Sequence, residues 1–210
     1  MRSTSGLISA AFFAAALTLV PALAAAQQPV RIAQGFASLS FLPVWGARAL
    51  NTFSPEGLTA TVVLPGGDPA ALAALDSGDV DLAAVGTEAA LRAIAKGQPF
   101  EIVYNLMSKV TLEVVVSTSF LEKSGVKPGD PLQKRIAALK GAMIGVAAIG
   151  GTQETAARWL ATKGGLDPKT DFKIAQIGSP PALRAALENK RIDAFVLSPP
   201  EGYLATKSGA

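Results

Sequence analysis

The strongest constraint on this chain is that one stretch of it occurs twice. Residues 177–204 read IGSPPALRAALENKRIDAFVLSPPEGYL, and residues 65–89 read PGGDPAALAALDSGDVDLAAVGTEA. With Asp81 set against Asp193, a shift of 112 residues, Gly66 meets Gly178 and Pro69 meets Pro181. Ala70, Ala73, Ala74 and Leu75 then meet Ala182, Ala185, Ala186 and Leu187, and Val80 meets Ile192, with no gap. The shift carries upstream, where Arg31-Ile32-Ala33 meets Met143-Ile144-Gly145. Each copy reads as turn, helix and strand. Ser179 can cap the second helix, and Pro180 and Pro181 suit its first turn. Residues 192–197 are a short apolar run fit for a buried strand. A period this long is not that of a solenoid, whose units run about 20–50 residues. It points to two similar lobes, each a β-α-β-α-β module.

Strand and helix signals alternate along the rest. Strands are expected at 30–34, 58–64, 80–85, 100–106, 112–118, 142–147, 172–177 and 192–197. Helices are expected at 42–50, between Asp68 and Gly78, and at 87–96, 132–139, 153–163 and 182–187. Asp68 reads as an N-cap with Pro69 behind it, and Ser119-Phe120-Leu121-Glu122 as a capping box. The alternation predicts an α/β fold of parallel sheets with helices on both faces. Residues 27–108 form lobe one, 109–197 lobe two, and 198–210 a second crossover.

Half of the 210 residues are hydrophobic, enough for a sizeable core. The net charge of +3 is scattered and forms no basic stripe, so nucleic acid is not an expected partner. The chain has neither cysteine nor histidine. That removes disulfides, thiol nucleophiles and imidazole chemistry, and no cofactor is called for. Residues 1–26 have the pattern of a cleaved secretory signal: Arg2, an apolar run over 7–23, then Ala24-Ala25-Ala26 before Gln27. The expected location is the periplasm. No later run approaches the roughly 18 apolar residues of a membrane helix.

Four loops fall at the carboxyl ends of strands and open helices: Ala37-Ser38-Leu39-Ser40, Gly66-Gly67-Asp68, Gly86-Thr87-Glu88 and Gly150-Gly151-Thr152. Ligands of open α/β sheets bind at that end, where helix N-termini offer unpaired N–H groups and attract anions. Phe36 and Phe41 flank the first loop. Gly145 to Thr152 nearly spells a phosphate loop, but Gly151 stands where the lysine is required. Ser124-Gly125-Val126-Lys127 has the spacing of a serine nucleophile with its lysine, yet sits in a Gly/Pro loop. Asp79 and Asp81 share a face at a strand's start, away from those loops, and read as structural. Trp45 and Trp159 read as core.

These residues resemble a family. Leu64-Pro65-Gly66-Gly67-Asp68, Ala74 to Ala83, Leu139-Lys140-Gly141, Arg191 to Phe195 and Pro199-Pro200-Glu201 are similar, in order and spacing, to the solute-binding proteins of ABC importers in the nitrate, taurine, sulfonate and thiamine-precursor (NMT1-like) group. The resemblance covers about residues 30–209. It implies a two-lobed periplasmic binding protein fold, type II-like, that closes on a small-molecule ligand and docks on permease membrane subunits. Such a protein is a monomer and not an enzyme. The resemblance also implies ligand contacts from Ser38, Ser40 and Phe41, from Gly86 and Thr87, from the crossover at Asn105, and from Gly151 and Thr152. Gly67 in its own loop, and Ser198 and Glu201 after the last strand, complete the candidate set. The ligand expected is a small anionic organic solute: a sulfonate, carboxylate, nitrate-like or thiamine-precursor-like molecule. Glu88 could instead greet an amine. Family chains continue past the second crossover to complete lobe one, so lobe one is expected here to be incomplete and to expose apolar surface. The alternatives are a non-functional truncated remnant and a periplasmic enzyme using Asp or Glu.

Overall fold

A computed structural model describes residues 26–210. The signal reading of residues 1–26 lies outside the described residues, apart from Ala26. Strands β1 (Gln28–Gln34), β2 (Leu58–Val63) and β3 (Leu82–Ala84) form a parallel sheet in the order β2-β1-β3. Strands β4 (Glu113–Val116), β5 (Met143–Val146), β6 (Lys173–Gln176) and β7 (Ala194–Leu197) form a second sheet, β4-β7-β5-β6. Lobe two is therefore a parallel β6-β5-β7 module with β4 added antiparallel against β7. The helices of lobe one are α1 (Leu42–Ala49), α2 (Asp68–Asp76) and α3 (Thr87–Ala95). Those of lobe two are α4 (Thr118–Ser124), α5 (Leu132–Ala137), α6 (Thr152–Lys163) and α7 (Pro180–Glu188), and α8 (Glu201–Ser208) follows β7.

The repeat holds bond by bond. At the 112-residue shift α2 superposes end to end on α7, and the sheet order β2-β1-β3 becomes β6-β5-β7. Gly66 and Gly178 both turn the chain with positive φ, 96° and 101°, which glycine alone adopts freely. Asp81 N donates to Arg31 O at 2.9 Å, and Asp193 N to Met143 O at 2.8 Å. In return each carboxylate accepts the partner's amide: Arg31 N to Asp81 Oδ2 and Met143 N to Asp193 Oδ2, both at 2.8 Å. The acidic pair at 79 and 81 is thus structural. Asp81 clips β3 to β1 and also holds Arg31, while Asp79 accepts the Ser77 hydroxyl in the preceding turn at 2.7 Å.

The densest core lies in lobe two. All four residues of β7 are buried, as a strand covered on both faces requires. Phe195, Ile144, Leu183 and Leu187 are its largest fully buried side chains. Lobe one is thinner. β2 alternates half-buried with exposed residues, α1 has no fully buried residue, and Leu50, Leu64, Leu82 and Leu91 are exposed. One apolar cluster joins Ile32, Phe36 and Phe41 of lobe one to Phe195, Leu197 and Ala205.

Some expectations are corrected. Residues 100–106 form no strand. From 101 to 111 the described chain makes no backbone–backbone hydrogen bond, because no strand lies beside it. Ile102, Val103, Tyr104 and Val110 are exposed along it. Ser117, not Ser119, caps α4, accepting from Phe120 N at 3.2 Å. Trp45 is 38% and Trp159 60% exposed, so neither is core. Trp45 instead donates Nε1–H to Gln34 Oε1 at 2.6 Å, and Trp159 lies under the Lys163 ammonium. Asp68 does not cap α2. The cap position is Gly67, and the carboxylate points elsewhere.

Candidate functional site

A cavity of about 810 Å³ opens between the carboxyl ends of the two modules and the extended run from 99 to 112. On one wall, Ser38 begins the 3-10 turn Leu39–Phe41 and accepts from Ser40 N at 3.1 Å. That turn aims Ser40 and Phe41 inward. Phe41 meets Phe36 edge to face, with centroids 5.6 Å apart at 82°, a favoured aromatic arrangement. The Ser40 hydroxyl lies 3.0 Å from Thr111 Oγ1 and 2.7 Å from Ser198 Oγ. Three hydroxyls, from the turn after β1, from the run before β4 and from the end of β7, thus converge.

On the far wall the lobes touch. Gly86 ends the β3 loop, and a Cβ there would stand 1.8 Å from Thr152 Oγ1 across the gap. A Cβ on Gly67 would stand 2.5 Å from Ala148 Cβ. Only glycine permits both approaches. Arg92 of α3 reaches over to donate to Gly150 O at 3.1 Å and Thr155 Oγ1 at 2.5 Å. Asp68 crosses as well. Its Oδ2 accepts from Thr152 N at 3.0 Å and from Thr152 Oγ1 at 2.5 Å. Asp68 is 1% exposed. Burial pushes its carboxyl above the usual carboxylate range, the Thr152 bonds pull it back, and the nearby Glu88 charge adds to the rise. Asp68 Oδ1, Glu88 Oε1 and Gln153 Nε2 are buried without a hydrogen-bond partner among the described residues.

Seven of the eleven candidates line the cavity: Ser40, Phe41, Gly86, Thr87, Asn105, Thr152 and Ser198. Ser38, Gly67 and Gly151 stand behind the wall and shape it. Glu201 is turned away, paired with Arg184 at the start of α8. Of the α6 amides expected to face an anion, that of Thr152 is already taken by Asp68. Thr111, Asp68 and Arg92 were missed as members of the site. Their only sequence signals are a polar residue in an apolar run, an acid beside two glycines and the lone cation of α3. Among the described residues, no group of three His, Cys, Asp or Glu could hold a metal, and no helix is long and apolar enough to cross a membrane.

A profile described as the NMT1-like family matches residues 22–207. No curated protein matches the chain. A structure from Bordetella bronchiseptica RB50 is 29% identical, with a TM-score of 0.73, over 86% of this chain and 54% of that one. The periplasmic nitrate-binding protein NrtA from Synechocystis PCC 6803 is 16% identical, with a TM-score of 0.69, over 87% and 50%. The alkanesulfonate-binding protein SsuA from Xanthomonas axonopodis pv. citri, bound to MOPS, is 23% identical, with a TM-score of 0.59, over 86% and 58%. The last two likenesses concern the fold. The chain spans about half the length of these proteins.

Proposed function

Because this chain belongs to the NMT1-like family, we propose that it is the periplasmic solute-binding component of an ABC importer, capturing a small organic solute between its lobes for delivery to permease subunits. The observation that carries this reading is the cavity at the carboxyl ends of both modules, the place where open α/β sheets bind ligands. Its lining suits a solute with an apolar part against Phe36 and Phe41 and a polar head among the hydroxyls of Ser40, Thr111 and Ser198. Thr87, Asn105 and Thr152 reach the same space, and Gly86 lets the lobes close over it. In this reading the protein binds and releases its solute as a monomer.

The proteins sharing the fold that are named as nitrate-binding and alkanesulfonate-binding take anions. An anionic solute remains part of this proposal only through the α3 terminus at Gly86-Thr87, since the α6 terminus holds Asp68. The test is calorimetry of the purified chain against sulfonates, carboxylates and amines, repeated with the S40A/S198A double variant. Saturable binding by one class, weakened in the variant, is the expected result. No binding by any class, or binding indifferent to the variant, would overturn the proposal.

A further inference from the structure

We propose that Asp68 is a specificity-determining residue: its carboxylate fills the helix N-terminus at which lobe two would otherwise hold an anionic solute. This deepens the reading of the cavity as the solute site and rests on it. α6 is twelve residues long and begins at the cavity wall with Thr152. The Thr152 amide and hydroxyl are the donors an oxyanion would use, and the helix field favours negative charge there. Both donors are already taken by Asp68 Oδ2.

Asp68 reaches this seat from 84 residues away and from the other lobe, so it is no local cap. It is almost wholly buried, and its second oxygen, Oδ1, has no partner among the described residues. That oxygen lies against β1's end, where a Cβ on Gly35 would be 2.3 Å from it. A second buried polar side chain stands at the same helix end. Gln153, the second residue of α6 and 1% exposed, has its Oε1 beside Gly151 and its Nε2 without a partner among the described residues. The seat therefore has the chemistry of an oxyanion site, with the protein's own carboxylate as occupant. Glu88, in the first turn of α3 and also lining the cavity, adds a second acid on this side. An incoming anion would have to displace one carboxylate and sit near another. A neutral or cationic solute would not.

The experiment titrates the wild-type chain, D68A and D68S with sodium methanesulfonate and with acetate, using sodium chloride as the ionic-strength control. Thermal unfolding establishes that each variant is folded. D68S opens the same gap with a residue suited to a first helical turn and stands in should D68A fail to fold. The expected result is a gain: methanesulfonate binds the variants at least about tenfold tighter than the wild type, the effect of about one charge-assisted contact. Adding T152V, which removes the hydroxyl, should reduce that gain. Folded variants without a gain, or wild type that binds methanesulfonate as tightly, would overturn the proposal. Wild type that binds no solute of any class, together with variants that gain the anion, would remove the transport reading and leave this one standing.

Discussion

Gly86 offers the sharpest test of how the lobes meet. Its backbone, with φ −62° and ψ 137°, accepts any residue without strain, so the effect of G86A must come from what the new methyl touches. That methyl would stand 1.8 Å from Thr152 Oγ1. An ordinary carbon–oxygen contact is about 3.5 Å, so the hydroxyl must retreat by more than an ångström or the lobes must part. Either way the 2.5 Å bond from Thr152 Oγ1 to Asp68 is lost. A hydrogen bond to a charged group contributes about 1.5–3 kcal/mol, so G86A should destabilise the protein by about 2 kcal/mol. T152A removes the same hydroxyl and should lose a similar amount. In the T152A background the Gly86 methyl meets only the flexible end of Glu88 at 2.8 Å, so G86A should there be nearly neutral. The four proteins form a cycle with a coupling of about 2 kcal/mol, read from urea unfolding at neutral pH. If the two single costs simply add, the contact between Gly86 and Thr152 is not what holds this wall.

Four further outcomes follow from the same geometry. Burial holds the Asp68 carboxyl above its unfolded value, so its stabilising contribution is full below the unfolded pKa and is lost as pH rises through the folded one. Wild type should therefore gain stability relative to D68N as pH falls from about 7 toward about 4, as urea midpoints would show. Asp81 works in the opposite sense. Arg31 holds it at about 2, so its contribution is present above the unfolded value of 3.8 and is lost as pH falls from there toward about 2; D81N should flatten that limb. D193A orphans the half-buried Met143 amide and should cost about 2 kcal/mol in urea unfolding, whereas D81A, at its exposed twin site, should cost less. Amides 101–111 should exchange with solvent far faster than those of β5 and β7; equal protection would mean that the extended run is paired after all.

The repeat was legible because the shared residues carry short-range instructions. A positive-φ glycine, a proline-started helix and an aspartate one strand over act within a single module, and their spacing survives in both copies. Long-range placement was not legible. Asp68 beside Pro69 has every local mark of a cap, yet its partner is Thr152 in the other lobe, and no local pattern announces that. The run at 100–106 is apolar and β-branched enough to be a strand, but a strand also needs a neighbour to pair with. Trp45 and Trp159 sit at helical positions, but the periodicity of short helices could not say that the faces carrying them look outward. Among candidate site residues, those in loops at strand ends were found, because topology sends such loops to the cavity. Thr111 and Arg92 were not, because one lies in an irregular crossover and the other inside a helix, in its last turn rather than at its strand-end loop.

The pairing of β4 with β7 also sets an order of events during synthesis. The β1, β2 and β3 sheet is complete once the chain has emerged to Ala84. In the other sheet, Glu113 finds its partner only when Leu197 appears, so β4 must wait as a bare, valine-rich strand until β5, β6 and β7 have been made. The unpaired run just before it waits too. A nascent chain of this design presents two adjoining unpaired segments to its surroundings until β7 emerges. Holdase chaperones would find their binding sites there, and synonymous changes that slow translation between these strands should lower the yield of folded protein without altering a single residue.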